Sequence, residues 1–338
     1  KNLHNAIIWM DSRGAKHVAK AMGSSVLKFQ GYDVTKLAHW VMLTAGMPGL
    51  SGKDSIAHIL YIKNEKPDLY ANTYKFLEPK DYLNLKLTGK FATAQDAIAL
   101  HWVTDNRDLN KVYYHPSLLK TMGVAKEKLP EIHLSTDVLG DILPNAAKDL
   151  GILEGTKVVM GTPDVHSAAL GSGAVDDFTP HLYIGTSSWL TCHVPFKKTS
   201  PSNNMATIPS AVPGKYLIGN EQETAGYSLT YLRDKILFPK DALTPQGAPA
   251  NAYQIFNEMA AVIPAGSDKL IFTPWLVGER TPVEDHTIRG GFFNMSINTT
   301  RAHLIRAVME GVAYNSRWLL EAVEEFIGRK VPFINMIG

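Results

Sequence analysis

Asp164 is the side chain in this sequence best placed to move a proton. The apolar run Val158-Val-Met160 is broken by Gly161-Thr-Pro-Asp164, and a stretch of small residues follows from Val165 to about Ala174. That order predicts a strand, a turn, and a helix that begins at the aspartate. A carboxylate there faces the positive end of the helix dipole, which favours its charged form. At the rim of a sheet it could take a proton from a substrate hydroxyl. Aspartate is also a favoured N-cap, and the two roles are compatible. His166 lies two residues on and invites a metal reading. Residues at i and i+2 of a helix do not share a face, however, and no second His or Cys sits nearby at ligand spacing, so no metal site is expected.

A second cluster is Gly185-Thr-Ser-Ser188, set between the apolar runs His181-Leu-Tyr-Ile184 and Trp189-Leu-Thr-Cys-His-Val194. A turn led by Gly, with three successive hydroxyls and free amides, can line a phosphate. The same residues also make plain hairpin turns. Trp9 and Asp11 follow or end the run Ala6-Ile-Ile-Trp-Met10 and could line a pocket at a strand end; a core Trp and a turn Asp are the plainer reading. Cys192 reads as a core residue. No G-x-x-x-x-G-K-[ST] is present, and Gly171-Ser-Gly173 lacks the third Gly of a dinucleotide fingerprint.

The elements that would hold these residues alternate between strand and helix patterns, which favours an α/β class. Strands are expected at 6–10, 158–160, 181–184, 189–194, 269–272 and 331–337. A helix is expected from Ser55, where Ile56, Ile59, Leu60 and Ile62 recur at helical spacing, ending at Pro67. The clearest helix runs from about Arg301 to Ile327, with Thr299 or Thr300 as its start and Gly328 as its end. Residues 196–215 and 274–291 read as loops. A change in composition near Val175-Asp-Asp177 suggests two domains, 1–175 and 176–338.

Composition bounds the partners. The 338 residues are 45% apolar and 20% charged with a net charge of +2, and the charges are dispersed, so neither nucleic acid nor an anionic membrane is indicated. No apolar run approaches the ~18 residues of a membrane span. A single cysteine and no signal pattern fit a reducing, cytoplasmic setting.

Taken together, several segments resemble the FGGY carbohydrate kinases, and they do so in that family's order. Gly290 to Glu310 is similar to the C-terminal signature: a Gly/aromatic stretch, a spacer, then His303-Leu-Ile-Arg-Ala-Val-Met-Glu310, with Asn294 where Gly is usual. Gly278-Glu-Arg-Thr-Pro282 is similar to a segment of xylulokinase-like members. Ser55 to Glu65 resembles the other signature, with His58 in place of Lys and Tyr61 in place of Trp. Trp9-Met-Asp-Ser-Arg13, Gly161-Thr-Pro-Asp164 and Tyr183-Ile-Gly-Thr-Ser-Ser-Trp189 resemble the strand end, the catalytic-aspartate segment and the second phosphate hairpin.

The resemblance implies two actin-like (ribonuclease H-like) α/β domains with a cleft between them, both incomplete in this chain. The first phosphate hairpin and the adenosine turn of the family are absent, so roughly a fifth and a sixth of the family's chain are expected to be missing at the two ends. The 338 residues alone are expected to be inactive. The implied reaction is ATP- and Mg²⁺-dependent phosphorylation of a sugar, with xylulose as the leading ketopentose substrate. Asp164 would be the general base, and Trp9, Asp11 and Val165 would lie near the sugar. Gly185, Thr186, Ser187 and Ser188 would face the ATP phosphates. Val165 stands where many members carry Asn or Gln, and Pro163 where Gly is common. A homodimer is left open. Two rivals are a non-catalytic sugar- or nucleotide-binding regulator of the same fold and a metal-dependent hydrolase using Asp164 and His166.

Overall fold

A computed structural model describes residues 2–8, 10–23 and 27–338. The chain divides into two compact units. One comprises Lys1–Ser167, His193–Thr199 and Ala206–Leu217; the other comprises Ala168–Cys192, Ser200–Met205 and Ile218–Gly338. Among the described residues no helix is long and apolar enough to cross a membrane.

The first unit is built on helices α1 (Ala15–Met22), α2 (Val34–Thr44), α3 (Ser55–Glu65) and α4 (Pro79–Thr88). Asp33 starts α2: its carboxylate accepts from the amides of Thr35 and Lys36 at 2.9 and 3.0 Å, satisfying two of the orphan donors of the first turn. The apolar spacing of α3 buries Ile56, Ile59, Leu60 and Ile62. Ile56, Ile59 and Leu60 pack with Val18 and Met22 of α1 and Trp40 and Leu43 of α2 in one core. Trp40 also donates from Nε1 to the carbonyl of Trp102 at 2.8 Å, so its single polar atom is paired inside that core. Strand β1 (Ala92–Ala94) runs parallel to β2 (Glu131–His133), and β3 (Val138–Asp141) pairs antiparallel with β4 (Lys157–Val159). From β4 the chain turns through residues 160–163 into α5 (Asp164–Gly171).

Two expectations fail here. The strand expected at 6–10 does not form at its described residues, 6–8 and 10. Among the described residues no strand pairs with this run, and Ile8 and Met10 are left exposed. Residues 196–215 are not wholly loop. Met205–Pro209 is a strand that buries Met205 and Ile208, and Thr207 Oγ1 accepts from the amide of Lys198 at 2.8 Å. Trp9 lies outside the described residues.

The second unit carries, as far as Cys192, the hairpin of β5 (Pro180–Ile184) and β6 (Ser188–Val194), in register from Ser188 opposite Ile184 to Cys192 opposite Pro180. Strand β7 (Met205–Pro209) belongs to the first unit from Ala206 on, and β8 (Tyr216–Gly219) to the first unit through Leu217 and to the second from Ile218. Helices α6 (Tyr227–Tyr231) and α7 (Ala252–Ala261) follow, then the antiparallel pair β9 (Ile271–Thr273) and β10 (Gly291–Phe293). The 27-residue helix α8 (Arg301–Ile327) buries Ile305, Val308, Leu319, Val323 and Phe326 on one face. Thr300 opens it, its amide donating to His303 Nδ1 at 3.2 Å, and Gly328 closes it with φ of 70°. The last strand, β11 (Asn335–Ile337), lies parallel to β5. Cys192 is fully buried, and burial pushes its thiol up to about 12, as suits a core residue.

Candidate active site

In the first unit the loop from Met160 to Asp164 is tied down at almost every residue. The Met160 carbonyl accepts from Asn84 Nδ2 at 2.7 Å and from Lys80 Nζ at 3.3 Å, both on α4. The Met160 and Gly161 amides donate to the carbonyls of Asp137 and Ser135, each at 2.9 Å. Gly161 has φ of 73°, a conformation in which a side chain would be strained. Thr162 Oγ1 donates to Asp96, whose other carboxylate oxygen accepts from Ser135 Oγ at 2.7 Å and from the Ala97 amide at 3.0 Å. Asp96 is 0% exposed, so these donors are what make its burial tolerable.

At the end of this braced loop Asp164 is exposed and heads α5. Its Oδ1 accepts from the adjacent Val165 amide at 2.8 Å. No other hydrogen bond to its side chain occurs among the described residues, so the carboxylate is held in place yet left open. Val165 is half-buried. His166 is turned inward instead: its ring is buried, with Nε2 against the Pro209 carbonyl at 3.1 Å, and burial depresses its pKa. Aspartate out and histidine in is the geometry expected of i and i+2 on a helix.

Asp11 is not free in the same way. Both carboxylate oxygens are engaged by Arg13, through Nε at 2.9 and 3.0 Å and Nη2 at 2.5 Å, and the side-chain hydrogen bond to Arg13 is the main reason its pKa falls to about 2. Arg13 in turn donates to Tyr61 Oη at 2.9 Å and lies 4.3 Å from the Tyr61 ring centroid. His58 Nε2 sits 2.9 Å from the Asp11 carbonyl. The two residues that depart from the usual signature, His58 and Tyr61, thus both pack against the Asp11–Arg13 corner.

In the second unit the hairpin turn is shaped by two glycines. Tyr183 and Trp189 stack at 4.1 Å between centroids, and a Cβ on Gly185 would overlap the Tyr183 ring. The carbonyl of Gly185 accepts from the Gly226 amide at 2.7 Å, and that of Thr186 from the Ala225 amide at 2.9 Å. Gly185 N–H turns inward to the Ser187 carbonyl at 2.9 Å. The amides of Thr186 and Ser187 have no protein acceptor among the described residues, and Thr186 is exposed. Two unspent amides with two hydroxyls beside them fit an anion. Ser188 departs from expectation. It is 0% exposed, and its Oγ donates to Gln222 Oε1 at 3.1 Å, so it offers the turn support rather than a surface hydroxyl.

Sequence reasoning missed Asp96, Asn84 and Gln222, which hold these two segments. The one local hint was Asp96 itself, an acid inside the otherwise uncharged run Ala92 to Leu100. Among the described residues no group of three or more His, Cys, Asp or Glu could hold a metal ion.

Models of the N-terminal and C-terminal domains of the FGGY family of carbohydrate kinases match residues 1–171 and 182–338. Over 99% of its length the chain is 26% identical to a xylulose kinase of Bacillus subtilis (strain 168), and it spans 62% of that relative. Among solved structures, gluconate kinase from Lactobacillus acidophilus superposes with a TM-score of 0.78 at 27% identity, covering 98% of this chain and 62% of that one. A ligand-bound xylulose kinase from the same organism gives 0.76 at 28%, covering 98% and 61%.

Proposed function

This chain belongs to the FGGY family of carbohydrate kinases, and from that premise we propose that the protein phosphorylates a sugar hydroxyl at the expense of ATP. The observation that carries the reading is the contrast at Asp164, a carboxylate left open at the end of a loop whose residues Met160, Gly161 and Thr162 are fastened. That is the arrangement a positioned general base requires, since catalysis depends on holding it within hydrogen-bond reach of the hydroxyl. Asp164 removes the proton as the sugar oxygen attacks. Phosphoryl transfer rests on positioning and charge neutralisation. The Thr186 and Ser187 amides, with their hydroxyls, hold phosphate oxygens of ATP. Mg²⁺ bound with ATP would supply neutralisation of phosphate charge. The domains 1–175 and 176–338 then divide the work, sugar side first and ATP side second.

The sugar is a ketopentose of the xylulose type, supported by the Gly278 to Pro282 segment and by the xylulose kinase relative. The gluconate kinase likeness makes gluconate the main competitor. Val165 cannot hydrogen-bond a hydroxyl, so contacts to the sugar near Asp164 come from other groups.

The test is ADP release by the full-length protein with Mg-ATP and a panel of ketopentoses, aldonates and polyols, beside Asp164→Asn. Sugar-dependent release that the variant loses by about 10²–10⁴-fold is expected. Binding of ATP without turnover on any sugar would overturn the kinase reading in favour of a binding regulator of the same fold.

A further inference from the structure

The dipeptide Glu279-Arg280 closes on residues 221–223 from both sides. Glu279 is 1% exposed. Its Oε1 accepts from the Glu223 amide at 3.0 Å and from the Arg280 amide at 2.9 Å, and its Oε2 accepts from Asn315 Nδ2 at 2.7 Å. Arg280 reaches Glu223 Oε1 through Nε and Nη2 at 2.9 and 2.6 Å, and Glu221 Oε2 through Nη1 at 2.5 Å. Glu221 and Glu223 are alternate residues, so they project on one side of the chain and Gln222 on the other.

Gln222 is where the grip is transmitted. Its Nε2 donates to the carbonyl of Asn315 on α8 at 2.7 Å, and its Oε1 accepts from Ser188 Oγ. Its backbone also exchanges two hydrogen bonds with Ser188, at 2.7 and 3.2 Å. Asn315 is anchored at its side chain by Glu279 and by Trp275 Nε1 at 3.3 Å. Gln222 is therefore pinned by its neighbours on one side and by α8 on the other, and it in turn pins the residue that ends the turn Gly185–Ser188. The network lies wholly within the second unit. Buried polar groups satisfied in this way rigidify what they join.

We propose that Glu279 and Arg280 are positioning residues that fix the Thr186 and Ser187 amides for ATP phosphates, acting through Gln222 and Ser188 without touching ATP. The inference rests on the assignment of that turn to ATP, and its mechanical half can be read without ATP.

Hydrogen–deuterium exchange of the Ser188 amide in the full-length, unliganded protein reads the mechanical half; KM for Mg-ATP, KM for sugar and kcat read the functional half. Glu279→Gln keeps the shape and loses one acceptor. Roughly tenfold faster Ser188 exchange and a roughly tenfold higher KM for Mg-ATP are expected, the cost of one charged hydrogen bond, with the KM for sugar unchanged. Should that variant not fold, Arg280→Lys keeps the charge but loses the forked grip on Glu223, and carries the same expectation. Unchanged Ser188 exchange in a folded variant overturns the proposal, as does a rise in the sugar KM alone. Faster exchange with an unchanged Mg-ATP KM would leave the link standing and sink the assignment of the turn to ATP.

Discussion

The amide of Gly226 donates to the carbonyl of Gly185 at 2.7 Å, and a Cβ on Gly226 would lie 2.6 Å from that same oxygen. The first residue of the candidate phosphate turn and the residue preceding α6 are thus in backbone contact, with no room for a side chain between them. Gly226 has φ of −59°, so it is required for closeness and not for an unusual conformation.

Gly226→Ala should therefore move the turn. The substitution is expected to raise the KM for Mg-ATP by about tenfold and to cost about 1–3 kcal/mol of stability through overpacking. Steady-state kinetics and a denaturant titration of the same preparation separate the two effects. A variant with unaltered affinity for Mg-ATP would show that the turn tolerates displacement, and would weaken its assignment to phosphate.

Asp96 offers a second test, on the other segment. Thr162 Oγ1, Ser135 Oγ and the Ala97 amide all donate to its buried carboxylate. Asp96→Asn replaces one acceptor oxygen by an NH₂ that faces a donor, leaving a buried group unsatisfied at a cost of about 1–3 kcal/mol. Because Thr162 lies two residues before Asp164, kcat should fall by about tenfold or more while the KM for Mg-ATP stays put. Equal losses in both would point to general unfolding instead.

These supporting residues mark where sequence legibility stopped. The helix from Arg301 to Ile327 and the hairpin around 185–188 were readable because their signals are local: a 3.6-residue apolar period with a Thr at one end and Gly at the other, and two apolar runs flanking a Gly-led turn. Asp164 was readable because a strand, a turn and small residues surround it in order. Asp96 and Thr162 are 66 positions apart, and Glu279 and Asn315 are 36 apart, so nothing near either residue reveals its partner. Ser188 was misjudged for the same reason: only the fold reveals that Gln222 takes its hydroxyl. The strand Met205–Pro209 was hidden by the Pro, Ser and Asn around it, and residues 6–10 looked like a strand on apolar content alone.

Glu78 supplies a pH dependence. Burial by itself would raise its pKa, but the hydrogen bond from His101 Nε2 at 2.8 Å and the charge of that ring outweigh it, with help from Ser55, and bring it down to about 2. A carboxylate depressed in the folded state adds stability above its unfolded pKa, near the ordinary 4.5, and loses it as pH falls toward 2. Glu78→Gln removes that titration. Urea midpoints measured at about pH 5 and about pH 3 should fall less in the variant than in the parent. An identical acid loss in both proteins would assign the acid limb to other carboxylates.

Gly311 gives a prediction whose sign runs against helix propensity. Replacing an interior helical Gly by Ala ordinarily stabilises by about 1 kcal/mol. On α8, however, a Cβ at Gly311 would overlap the carbonyl oxygen of Phe272 in β9, a backbone atom that cannot swing aside. Phe272 is itself fixed in a core with Leu232, Phe256, Ile305 and Val308. Gly311→Ala should therefore destabilise the protein by about 1–3 kcal/mol, lowering the denaturant midpoint with an unchanged m-value. Ala313→Gly, at an exposed position of the same helix, should cost about 0.5–1 kcal/mol for the opposite exchange. If both exchanges followed propensity alone, Gly311→Ala would stabilise, and the close approach of α8 to β9 would have to be abandoned.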